Sequence, residues 1–167
     1  MKKLNSFFLS NTVFLLDHLY ADRHLQRFWV LEVIARSPYF AFLSVLHFKE
    51  SLGIKNDKTM YLMKEHFYQA INETEHLKEM ERRGGDKYWI DRLLARHMVL
   101  IYYWIMVVYY FLSPSNAYDV NIKIEEHAFH TYTKYLEINP NDKKIKEIAQ
   151  DELNHVKELT QALLMIK

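Results

Sequence analysis

Apolar residues recur at the three-and-four spacing of an α-helix through most of the chain. The spacing predicts a first amphipathic helix over residues 6–20 and a second over 22–52, kinked near Arg36 because Pro38 lacks a backbone donor. A short loop at 53–57 leads to a third helix over 58–83, stopped by Gly84-Gly85. A fourth helix, over 87–112, is apolar on most of its surface and breaks at Ser113-Pro114-Ser115. A fifth covers 117–138. Asn139-Pro140-Asn141 then forms a turn, with Asn139 expected as N-cap and Pro140 at the first position of a last helix that runs close to the C-terminus.

Acidic residues interrupt the apolar stripes at particular places. In the fifth helix Glu125 falls on the stripe of Tyr118, Ile122, Phe129, Tyr132 and Leu136, whereas Glu126 aligns with the polar Asp119, Lys123, His130 and Thr133. In the last helix Glu152 and His155 share a stripe with Ile145, Ile148, Leu159 and Leu163. Glu32 shares a face with Phe28, Trp29, Ala35 and Tyr39, and Glu73 and His76 follow Leu62, His66, Gln69 and Ala70. A carboxylate inside an apolar stripe is costly unless it is paired, and no cluster of Lys or Arg lies on these faces.

Two bound cations would resolve that cost. The chain reads Glu32, Glu73-x-x-His76, Glu125, Glu152-x-x-His155. A Glu and a His three positions apart project from one helix face and can reach one ion. Four carboxylates and two imidazoles so arranged match the dinuclear site of a ferritin-like four-helix bundle. Such an oxygen-rich set suits two iron ions, or manganese, better than zinc. One Glu-x-x-His pair on a solvated helix is ordinary. The weight rests on both pairs, and both lone glutamates, facing a core.

Composition narrows the class further. Half of the 167 residues are hydrophobic and 15% aromatic, with only three Gly and three Pro, as an all-α protein of one domain over 1–167 would have. A net charge of +1 gives no case for nucleic acid as a partner. The absence of cysteine leaves no thiolate site, disulfide or thiol nucleophile. Met1-Lys2-Lys3 followed by Leu4, Phe7 and Phe8 loosely resembles a secretory signal, but polar residues break the apolar run and an amphipathic helix is the better reading. The longest apolar run, 98–112, is shorter than the roughly 20 residues of a spanning helix, which predicts no bilayer-crossing segment. His18, His24, His47, His66 and His97 read as surface or satisfied core histidines, the aromatic fourth helix as core or interface, and the charges of 78–83 as a solvated face.

Four stretches resemble the alternative oxidases, membrane-attached di-iron ubiquinol oxidases. Leu31-Glu32-Val33 with Pro38, Asn72-Glu73-Thr74-Glu75-His76-Leu77, Ile124-Glu125-Glu126-His127-Ala128 with Thr131-Tyr132, and Asp151-Glu152-Leu153-Asn154-His155 look like that family's four motifs. Phe111-Leu112-Ser113-Pro114 resembles its break before the third ligand helix. The resemblance covers about 27–156. It implies metal ligands at Glu32, Glu73, His76, Glu125, Glu152 and His155, a redox-active tyrosine at Tyr132, and a quinol or substrate pocket at Arg27, Ile124, His127, Ala128 and Thr131. It also implies O2 and a quinol as substrates, attachment to one leaflet, on the cytoplasmic face of a membrane unless the protein is cytoplasmic, and a homodimer.

The chain departs from the family pattern at several points. His127 stands where the family has a third glutamate, Tyr39-Phe40-Ala41-Phe42 replace a glycine-rich segment, and the connection from Tyr132 to Glu152 is shorter. The family's N-terminal extension and regulatory cysteines have no counterpart in these residues. Two further readings therefore stay open: a di-iron monooxygenase or desaturase acting on a small organic molecule, and a non-catalytic metal-binding bundle.

Overall fold

The computed structural model describes residues 2–166, without the side chains of residues 2–4, 7 and 8. The signal-like reading of Met1 to Phe8 therefore falls largely outside the described residues. Six helices follow one another: α1 (Lys2–Leu19), α2 (His24–Ser51), α3 (Asp57–Arg82), α4 (Trp89–Leu112), α5 (Pro114–Ile138) and α6 (Lys143–Ile166). There is no strand among the described residues. α2 packs along α3 and α4, α5 packs along α6, and α2–α5 and α3–α6 contacts close a bundle of α2, α3, α5 and α6. α1 lies against α5, and α4 covers α2 from outside.

Local chemistry explains most helix ends. Asn56 caps α3 by accepting the Thr59 amide at 2.9 Å. At the other end of α3 Gly84 takes φ +81° and the Gly85 amide reaches back to the Met80 carbonyl at 2.8 Å, closing the helix in a Schellman turn. A Cβ on Gly85 would lie 2.7 Å from both the Leu25 carbonyl and the Trp29 Cβ, so α2 approaches this turn through the missing side chain. Two expectations need correction. Pro114, not Ala117, opens α5, where its fixed φ suits a first helical position. Asn139 ends α5, Pro140 lies in the turn, and Asp142 starts α6 by accepting the Ile145 amide at 3.2 Å. α2 continues without interruption through Pro38.

The apolar interior falls into two clusters. One gathers Phe28, Val33, Leu77, Met80, Tyr132, Ile145 and Ile148. The other gathers Tyr39, Phe42, Leu62, Ala70, Tyr118 and Leu159. On α2, α3, α5 and α6 the acidic residues of the sequence pattern lie between these two sets.

α4 behaves differently. Of its residues Asp91, Ala95, Met106 and Tyr110 are buried, while Leu100, Ile101, Trp104 and Ile105 are more than half exposed. By length and composition alone both α2 and α4 are long and apolar enough to cross a membrane, although the strictly apolar run 98–112 is shorter. Most of α2 is spent inside the bundle, whereas α4 presents its apolar face outward. The run 78–83 is also more than a solvated face. Arg83 binds Asp142 with both terminal nitrogens, at 2.5 and 3.0 Å, and Glu79 through Nε at 2.6 Å, tying α3 to the head of α6.

Candidate metal centre

Six side chains from four helices meet between the two apolar clusters. Glu32 comes from α2, Glu73 and His76 from α3, Glu125 from α5, and Glu152 and His155 from α6. All six are buried, the most exposed being His155 at 4%. Glu126, one residue from Glu125, is exposed, as the helix register predicts. Ligand atoms of Glu32, Glu73, His76 and Glu152 lie within 4.8 Å of one another, and so do those of Glu73, Glu125, Glu152 and His155. Glu73 and Glu152 belong to both groups.

The hydrogen bonds separate the four carboxylates by role. The Tyr132 hydroxyl donates to Glu32 Oε1 in a short contact, and the Tyr39 hydroxyl donates to Glu125 Oε1 at 2.8 Å. Each of these glutamates keeps one oxygen, Oε2, buried and without a partner. Glu73 and Glu152 have both oxygens unpartnered, and His76 and His155 each leave Nδ1 unpartnered. His155 Nδ1 approaches Glu73 Oε1 to 2.8 Å and His76 Nδ1 approaches Glu152 Oε1 to 3.2 Å, but neither contact has hydrogen-bond geometry. Buried polar atoms are rarely left so, and here they converge. His76 is oriented from behind: Asp151 Oδ2 lies 3.2 Å from its Nε2, and Asn72 donates to the same oxygen at 3.4 Å.

Electrostatics tell the same story. Burial pushes the Glu73 and Glu125 carboxyls up to about 7. Burial, and then the charge of Glu73, lifts Glu32 and Glu152 well above the usual carboxylate range. The positive charge of Arg36 reaches Glu73 but offsets little of this. Such a set holds its protons, or it holds cations. Two ions fit the donors: oxygen and imidazole only, with Glu73 and Glu152 free to span both groups.

The other expected site residues are distributed as follows. Tyr132 is fully buried and reaches Glu32 across the bundle. Arg27, His127 and Thr131 come together: Arg27 Nη2 lies 3.4 Å from His127 Nε2, and Thr131 Oγ1 lies 3.3 Å from the same nitrogen. Arg27 is also held by Asp17 of α1 at 2.6 Å. Ile124 is half-buried and Ala128 is buried on the same helix. Burial and the Arg27 charge hold the His127 imidazole below its usual range.

Two features escape the sequence pattern. Tyr39 meets Glu125 from α2, a cross-helix contact with no signal along the chain. Asn121, one turn before Glu125, is fully buried with both amide atoms unpartnered. His66, by contrast, is the satisfied core histidine that the sequence allowed, bonded to Tyr118 at 2.6 Å and to Gln69 at 2.9 Å.

Comparison with known proteins adds the following. The sequence model of the family described as "Alternative oxidase" matches residues 7–158. The chain is 45% identical over 141 residues to "Ubiquinol oxidase 4, chloroplastic/chromoplastic" of Arabidopsis thaliana, covering 84% of this chain and 40% of that one. It is 32% identical over 120 residues to "Ubiquinol oxidase, mitochondrial" of Mangifera indica, covering 72% of this chain and 37% of that one. A mitochondrial ubiquinol oxidase 2 of Glycine max is likewise 32% identical over 120 residues, covering 72% of this chain and 35% of that one. The chain thus spans less than half the length of these curated relatives. No solved structure matches it.

Proposed function

The chain belongs to the alternative oxidase family, and from that premise we propose that it is a single-domain di-iron oxidase which reduces O2 with electrons from a quinol. The balanced reaction takes two quinols per O2: each quinol loses two electrons and two protons to become a quinone, and O2 leaves as two waters. The observation that carries this reading is the convergence of unpartnered oxygens and imidazole nitrogens in a buried interior. Glu32, Glu73, His76 and Glu152 would hold one ion, and Glu73, Glu125, Glu152 and His155 the other. Two iron ions supply what the side chains lack, a place where O2 can accept electrons.

The chain's own residues do the rest. Tyr132 and Tyr39 each occupy one oxygen of a terminal glutamate, which leaves a single oxygen of that glutamate facing inward. Tyr132 keeps its proton, because burial and the charge of Glu32 push its phenol up. Any electron it gave to the bound ions would leave together with its proton, which would pass along its bond to Glu32 Oε1. Asp151 fixes the ring of His76 through Nε2. Beside the α1–α2–α5 contact, neutral His127 offers a proton acceptor where the family pattern has a carboxylate, with Arg27 and Thr131 positioned around it. Ile124 and Ala128 would line the apolar part of that pocket.

The exposed face of α4 would lie on one leaflet of a membrane. The apolar Phe67, Tyr68 and Ile71 on α3, all exposed, would pack against a second copy.

The test is oxygen uptake by iron-loaded protein with a soluble quinol, together with iron analysis of the same sample. Quinol-dependent uptake, with labelled oxygen recovered only in water, is the expected result. Label in an organic product would identify a monooxygenase instead, and a new double bond a desaturase. Uptake no faster than free ferrous iron gives would leave a metal-binding bundle without catalysis.

A further inference from the structure

A cavity of about 490 Å³ opens between α2 and α4, apart from the six clustered acidic and histidine side chains. Val33, Phe40, Val99 and Leu100 make its apolar walls. Its polar lining is of one sign, for Arg36 and Arg96 both line it and no carboxylate does. Neither guanidinium makes a hydrogen bond or close ion pair among the described residues. Ser37 lines the same cavity, is 3% exposed, and its hydroxyl has no partner. The Tyr103 hydroxyl, by contrast, is already engaged with Ser44 at 2.9 Å. A buried serine in mid-helix ordinarily bonds back to a carbonyl of its own helix, so a free hydroxyl beside two guanidiniums without hydrogen-bond partners, of which only Arg36 feels the more distant charge of Glu73, asks for an acceptor-rich anion.

The surroundings decide what kind of anion. Leu100 lines the cavity and also belongs to the outward apolar face of α4, where Leu100, Ile101 and Trp104 are 60, 62 and 59% exposed. The opening is therefore continuous with a greasy surface, and a free phosphate would leave the apolar walls uncovered. We propose that this cavity binds one anionic phospholipid. Its phosphate sits between Arg36 and Arg96 and accepts a hydrogen bond from Ser37 Oγ, and its acyl chains run along Val99, Leu100 and the outer face of α4. The inference rests on reading α4 as the bilayer-facing helix.

The test is calorimetric titration of the iron-loaded protein with dihexanoyl phosphatidylglycerol, kept below its micelle concentration. One lipid per chain is expected, with inorganic phosphate and dihexanoyl phosphatidylcholine at least roughly fivefold weaker. Arg96→Gln, at an exposed position on α4, which contributes none of the six acidic and histidine side chains, is expected to weaken the lipid about fivefold or more. Arg96→Lys should lose less, and Ser37→Ala should weaken binding without changing the helical circular dichroism.

Equal affinity for inorganic phosphate overturns the proposal in favour of a free-anion site. Unchanged binding in Arg96→Gln, no saturable binding, or a dimer that buries Arg96 and excludes the lipid overturns it as well. Flotation on pure phosphatidylcholine vesicles tests the bilayer reading by itself, since α4 alone should support it. Failure to float counts against that reading, and failure of the titration counts against the pocket.

Discussion

Residue by residue, the inward and outward choices were the most legible part of the chain. Glu125 and Glu126 are neighbours of identical chemistry, and the stripe alone separates a buried one from an exposed one. Partners across helices were not legible, because Tyr39 finds Glu125 only once α2 and α5 have taken their relative phase. His127 can be tested directly. His127→Leu removes the proton acceptor beside Arg27 and is expected to lower quinol-dependent kcat/KM by about 10²-fold, whereas His127→Glu, which restores the family's residue type, should retain most of it. Steady-state oxygen uptake with varied quinol reads the difference; equal rates in the two variants would remove His127 from the pocket.

His66 makes a second case. Burial lowers its imidazole from 6.5 to about 4. The unfolded chain therefore takes up a proton at a higher pH than the folded one, and acid favours unfolding through this group. Stability carried by neutral His66 is present above pH 6.5 and is lost as the pH falls towards about 4, to an extent of about 3 kcal/mol. Urea melts of the wild type and His66→Gln should converge over that window; a constant gap would show that His66 does not titrate as a buried neutral group.

At the level of elements, all six helices could be drawn from periodicity and breakers, with errors of a few residues at their ends. The start of α6 was misread because proline serves equally in a turn and at a first helical position, and Asp142 supplies the capping oxygen that Asn139 was expected to give. α4 itself was drawn within two residues of its ends, while the strictly apolar run 98–112 understates its apolar length because it stops short of Asp91, Arg92 and Arg96. The turn between α3 and α4 is packed closely against α2. Gly85→Ala would bring a Cβ to 2.7 Å of the Leu25 carbonyl and the Trp29 Cβ, forcing α2 away from α3. A loss of about 2 kcal/mol is expected, read as a lowered urea midpoint. Wild-type stability in this variant would mean that the two helices have slack there.

For the molecule as a whole, the sequence implied an acidic layer inside a bundle but not how that layer divides the interior. The division has a consequence for the order in which the protein comes apart. With cations removed, the side chains at the seam among the described residues are buried carboxyls, the imidazoles of His76 and His155 and two tyrosine hydroxyls, so beyond the four helices that run through both greasy halves little couples them. Chelated protein is expected to show two separate unfolding steps in calorimetry, and reloading with ferrous iron should merge them into one at higher temperature. Amide exchange should locate the weak line at the turns carrying Glu32, Glu73, Glu125 and Glu152. A single transition, unmoved by chelation, would mean that the seam is held shut without ions; two that fuse on loading would make the metals the keystone of the arch as well as its chemistry.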